Sequence, residues 1–159
     1  MNKRIRVGIA AVAAVALMLT AAPAHATGGT AKGTIVDVAI AASGGGTPDA
    51  NPNDYDILVQ AVVATGLAGA LADTSKKYTV FAPNDRAFLR LVTDPTGNAP
   101  ASEAAALATI TSAFTLDQIA DILLYHVVAG KKLGPVQVLF AKSLTMANGG
   151  VVKPRGITP

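Results

Sequence analysis

Between residues 35 and 127 apolar side chains recur mostly at helical spacing, and short β-rich runs appear where that spacing stops. Ile35, Val36, Ala39 and Ile40 predict a helix over 35–42. Gly44, Gly45, Gly46 and a Pro/Asp/Asn cluster through Pro52 then interrupt the chain. Ile57, Leu58, Ala61 and Val62 form the stripe of a second helix, with Asn53 or Asp54 expected to cap it. Gly66 breaks that stripe, and Leu67, Ala70 and Leu71 continue it for one turn. Residues 78–81, Tyr-Thr-Val-Phe, read as a strand that Pro83 ends, because proline cannot donate to a ladder. Asn84 is placed to cap a short helix carrying Ala87, Phe88 and Leu91.

A Pro/Gly/Asn loop is expected over 93–100, then an alanine-rich helix from Ser102 to about Ala113. Thr115 and Gln118 have capping-box spacing, in which each side chain takes up the other's backbone N–H. They open a helix carrying Ile119, Ile122, Leu123 and Val127, and Tyr125-His126-Val127-Val128 either closes that helix or opens a strand. The remainder predicts a short apolar run over 136–140, a strand over 144–146, a hairpin turn at Asn148-Gly149-Gly150, and Val151-Val152 returning across it. Helices first and short strands later give an α+β class.

The first 26 residues follow a different rule. Lys3, Arg4 and Arg6 precede an apolar run over 7–19, and small residues end in Ala24-His25-Ala26, the order of a cleavable secretory signal. The apolar run is about 13 residues, short of the roughly 20 that span a bilayer. The expected organisation is a signal peptide over 1–26, a Gly/Thr-rich leader over 27–32 and one domain over 33–159. Cleavage removes three of 13 basic residues and none of the 10 acidic ones, so the exported chain is electrically neutral. Its basic character, and with it a nucleic-acid partner, drops out. No stable membrane span is expected after cleavage. With no cysteine in the chain, disulfides and thiolate chemistry are excluded. Seven aromatic residues in all mean that the core must be mainly aliphatic.

Thr79, Val80, Phe81, Ala82, Pro83, Asn84, Asp85, Ala87 and Phe88 resemble, in order, the first signature motif of the fasciclin domain, with Asn84 where threonine is more usual. Residues 122–131, which include Tyr125 and His126, resemble that family's Tyr-His motif at about the expected distance. The family's last motif has only a partial echo in Asn148-Gly149-Gly150-Val151, so the resemblance covers roughly 33–152 and implies incomplete closing strands. It also implies a wedge of helices packed on a small β-sandwich, and a secreted, non-catalytic adhesion module. The implied partner is an extracellular protein or cell-surface receptor, met at Tyr125 and His126, without a cofactor.

The residues themselves offer little catalytic chemistry. Asp85 lacks a carboxylate partner at a suggestive spacing, and its expected role is to accept N–H groups with Asn84 at the start of the following helix. His126 is the one histidine left after signal cleavage, which rules out a histidine pair for metal. Gly-x-Ser-x-Gly is absent. Two other readings stay open: a carrier of a small apolar ligand, which requires a cavity of several hundred Å³, and a hydrolase, which requires Asp85 and His126 to meet. The sequence points to no metal site.

Overall fold

Helix formation here follows its caps. In the computed structural model, which describes residues 33–155, helix α1 (Ile35–Ala42) begins at Thr34, which exchanges hydrogen bonds with Asp37 in a capping box. Helix α2 (Asp56–Ala64) stops at Thr65, and after Gly66, at φ +72°, the single turn of α3 (Ala68–Leu71) follows. Strand β1 (Tyr78–Val80) leads into α4 (Asp85–Thr96), capped by Asn84. Ser102 caps α5 (Glu103–Ala113), and the Thr115–Gln118 box opens α6 (Leu116–Leu124) as the sequence predicts. Strand β2 (Val127–Ala129), helix α7 (Pro135–Leu139) and strands β3 (Leu144–Thr145) and β4 (Val151–Val152) complete the described chain.

Three expectations need correction. Helix α4 runs through Pro95 to Thr96, into residues read as loop, and ends where Gly97 takes φ +69° and donates to the Thr93 carbonyl at 2.7 Å. A proline so near the helix end forfeits one backbone bond without halting the chain. The apolar run over 136–140 is mostly the short helix α7, with Pro135 at its first position. Neither Asn53 nor Asp54 caps α2: the N-cap residue is Tyr55, whose side chain makes no capping bond.

The fold is α+β, and its β part consists of two antiparallel two-stranded ladders among the described residues, β1 with β2 and β3 with β4. Tyr78 pairs with Ala129 and Val80 with Val127. Phe81 N–H donating to His126 (2.9 Å) and Gly130 N–H donating to Lys77 (2.8 Å) lengthen the first ladder. The hairpin of β3 and β4 pairs Leu144 with Val152 as expected, and Ala147 N–H ties it to the Val127 carbonyl at 2.7 Å.

Strand β2 separates two apolar clusters because successive side chains point to opposite faces. Val127 enters the main core with Ile57, Leu58, Phe88, Ile110 and Leu123, whereas Val128 joins Leu144 and Met146. Burial of each large side chain contributes roughly 1.5–3 kcal/mol. Helices α2, α4 and α5 pack on one another around the main core. Their N-termini carry Asp56, Asp85 and Glu103 at the first helical position. The signal and leader assigned to 1–32 lie outside the described residues.

Candidate functional site

Two places combine unusual side chains with defined geometry. The first is the junction of α6 and β2. Tyr125 N–H donates to Asp121 and His126 N–H to Leu123, ending the helix and turning the chain into the strand. His126 Nδ1 lies 2.8 Å from the Ile122 carbonyl oxygen, an acceptor only, so that nitrogen carries the proton. The Tyr125 ring stands edge-on to the imidazole, centroids 6.1 Å apart at 85°. It is 43% exposed. On its other side it lies against Gly150, where an added Cβ would meet ring carbons at 2.6 Å.

An open depression of about 250 Å³ adjoins this pair, lined by Phe81, Tyr125, His126, Val138, Leu144 and Met146. A second of about 510 Å³ shares Phe81 and Val138 and reaches Leu133, Pro135 and Arg155. Phe81, from the first signature motif, is thus exposed at both. Lys131, Lys132, Lys142, Lys153 and Arg155 are exposed in the same C-terminal third of the chain. Thr79 ties the first motif to this region: its hydroxyl donates to the Lys131 carbonyl (3.0 Å) and accepts from Leu133 N–H (2.8 Å).

The second place is an acidic corner at the N-termini of α2, α4 and α5. Asp85 is wholly buried, and its two oxygens accept the Asp56 and Ile57 N–H groups at 3.0 and 2.9 Å. It therefore caps α2, not the helix it begins, which corrects the expected role; Asn84 alone caps α4, accepting from Ala87 at 3.2 Å. Backbone bonds from Asp85 to the Asp54 carbonyl and from Arg86 to the Pro52 carbonyl fix the two segments together. Around this cap lie the buried carboxylates of Asp54, Asp56 and Glu103 and the exposed one of Asp49.

Burial and neighbouring carboxylates raise the proton affinity of this corner. Asp56 is pushed up to about 6, first by burial and then by the charges of Asp54, Asp49 and Glu103. Ser43 is near enough to lower it slightly, but its hydroxyl is bonded to the Ala39 carbonyl at 2.9 Å and makes no hydrogen bond to Asp56. Asp85 is pushed up to about 7 by burial and by the Asp54 carboxyl, against the opposing pull of the Ile57 and Asp56 amides. Burial also raises Glu103, although its Oε2 accepts from Asp49 N–H at 2.8 Å.

The two residues a hydrolase would need are thus committed separately, Asp85 to the α2 amides and His126 Nδ1 to Ile122. The enclosed apolar space beneath α1, lined by Ile35, Val36, Leu58, Val62 and Leu123, amounts to about 40 Å³. That is far below the several hundred Å³ of ligand pockets. Asp56 and Glu103 were not singled out from sequence, and Asp54 was named there only as a candidate cap. The available signal was the alternation of oxygen-bearing side chains at Asp49, Asn51, Asn53, Asp54 and Asp56. Among the described residues no single helix is long and apolar enough to cross a membrane; α5 and α6 would pass together only across a 109° bend.

The family model described as "Fasciclin domain" matches residues 53–151, more than half of the chain. No curated protein and no solved structure was found to match it.

Proposed function

The chain belongs to the fasciclin domain family, and on that premise we propose that it is a secreted interaction module whose Tyr125 face binds an extracellular protein or cell-surface receptor. Fasciclin domains are generally extracellular adhesion or interaction modules and are typically non-catalytic. The observation that carries the placement is the exposure of Tyr125 and Phe81 beside continuous apolar depressions. Aromatic anchors beside apolar pockets are the usual centres of protein-binding surfaces. The five exposed cations nearby in sequence favour an anionic partner surface and faster encounter with it. A small-ligand carrier is disfavoured because the enclosed apolar cavity amounts to only about 40 Å³, while the depressions of about 250 and 510 Å³ are open to solvent.

The test is attachment of the exported protein to intact cells and to an immobilised matrix preparation. Tyr125→Ala, combined with Phe81→Ser, is expected to lower binding at least tenfold at a temperature where circular dichroism shows the variant folded, since each ring is more than half buried and its loss also costs stability. Wild-type binding that the double variant retains in full would overturn the placement. Absence of binding to either surface would overturn the function.

A further inference from the structure

We propose that Asp49, Asp54, Asp56 and Glu103 form a binding site for one hard divalent cation of the calcium class. Each of the four offers a carboxylate oxygen, and these atoms all lie within 4.8 Å of one another. Ligands on opposite sides of Ca²⁺, at 2.3–2.6 Å each, stand about 4.6–5.2 Å apart, whereas around Mg²⁺ they stand about 4.2 Å apart. Separations of at most 4.8 Å admit either ion, and it is the set of four protein carboxylates, rather than one or two with several waters retained, that favours Ca²⁺. Its donors are all oxygen, the set that selects hard cations over zinc or copper.

A second, independent observation points to a ligand. The Asp56 side chain is 0% exposed, and among the described residues neither of its carboxylate oxygens has a hydrogen-bond partner. Asp54 Oδ1 is likewise buried with no donor group on it, since the neighbouring Asp85 carboxyl can bond to Asp54 only while one of the two holds a proton. Buried polar groups are almost always satisfied, and an unpaired buried carboxylate is among the costliest groups to leave alone. Among the described residues the ion pair found lies elsewhere, between Lys76 and Asp73 at 3.4 Å. The nearby guanidinium of Arg86 donates to Asn53 Oδ1, not to a carboxylate. Ser43, the neighbouring hydroxyl, is committed to the Ala39 and Ile40 carbonyls.

A cation at this corner would join the loop before α2, through Asp49 and Asp54, to the first residues of α2 and α5. Its consequence is structural: it holds α2, α5 and the loop before α2 together, apart from the Tyr125 face. Extracellular calcium modules have dissociation constants of about 10⁻⁴–10⁻³ M, matched to calcium levels outside cells.

The experiment uses the exported full chain freed of metal with EGTA and then dialysed. Titration with CaCl₂ followed by calorimetry is expected to give one site per chain. Thermal unfolding in 5 mM CaCl₂ is expected to shift up by roughly 3–8 °C, with a smaller shift in 5 mM MgCl₂. Asp56→Asn and Glu103→Gln are expected to weaken calcium binding at least tenfold while leaving the metal-free unfolding temperature equal or higher, since each removes a buried charge. Asp37→Asn, at an exposed carboxylate bonded to Thr34, is expected to respond as wild type. Tyrosine-sensitised Tb³⁺ luminescence on the wild-type protein, displaced by Ca²⁺, checks the site without any variant. No calcium-dependent heat, shift or displacement up to 10 mM, or an undiminished response in Asp56→Asn and Glu103→Gln, would overturn the proposal. A magnesium response equal to that of calcium would overturn the assignment of cation class.

Discussion

Replacing Asp85 with alanine removes the acceptor that two buried amides of α2 share. The Asp56 and Ile57 N–H groups, at 3.0 and 2.9 Å from the carboxylate, would have no helical partner, because they are the first two donors of their helix. A buried donor left unsatisfied costs about 1–3 kcal/mol, and loss of a helix cap about 0.5–2 kcal/mol. These costs overlap at one site, so Asp85→Ala is expected to destabilise by ~2–4 kcal/mol. Asp85→Asn keeps one acceptor oxygen and removes a charge from a crowded acidic corner, and is expected to cost under about 1.5 kcal/mol. Urea unfolding at pH 7 in EGTA, with global fitting of a common slope, measures both differences. An alanine variant within 0.5 kcal/mol of wild type would refute the cap. So would an asparagine variant as unstable as alanine, which would make the charge rather than the acceptor the essential feature.

Three further outcomes follow from the same geometry. Asp56 and Asp85 titrate higher in the folded chain than the unperturbed value of 3.8, at about 6 and about 7. The folded state thus binds more protons than the unfolded one between about pH 4 and 7, and metal-free stability should fall as pH rises through that window. The gain on acidification should end near pH 4, below which the unfolded chain takes up protons at Asp37 and Asp73 that the folded chain, with both held low by Thr34 and Ser75, does not yet accept; urea midpoints that drop steadily from pH 7 to pH 4 would contradict it. Gly46 sits at φ +75° with an added Cβ 2.7 Å from Val59 Cγ1, so Gly46→Ala should cost about 1–3 kcal/mol by chemical unfolding. Thr79→Val deletes both hydroxyl bonds to the 131–133 segment and should cost about 1–2 kcal/mol, with faster amide exchange at Leu133 as its local signature.

What the sequence made legible were features set by neighbours along the chain. Asn84 and the Thr115–Gln118 pair mark two helix starts because a cap acts within three residues. Asn148-Gly149-Gly150 marks the hairpin because its turn is equally local. The cap of α2 was not legible, because Asp85 reaches it from 28 and 29 residues away, and no local pattern encodes that approach. The acidic corner was hidden for the same reason: its carboxylates come from one loop and the starts of α2, α4 and α5, which only tertiary packing assembles. Helix α4 continued past its expected end because packing of Phe88 and Val92 in the core outweighs the weak helix preference of Thr93 and Pro95. The Tyr125–His126 pair was visible only as a resemblance. The structure adds that the imidazole is held to the helix while the phenol ring remains exposed.

Hydrogen exchange of the protein, free and bound to the immobilised matrix preparation or to cells, tests the interaction face most directly. New protection is expected only at residues 79–82, 125–129 and 150–153, with α4 and α5 unchanged. Protection centred on α4 and α5, or none anywhere in the bound protein, would contradict it.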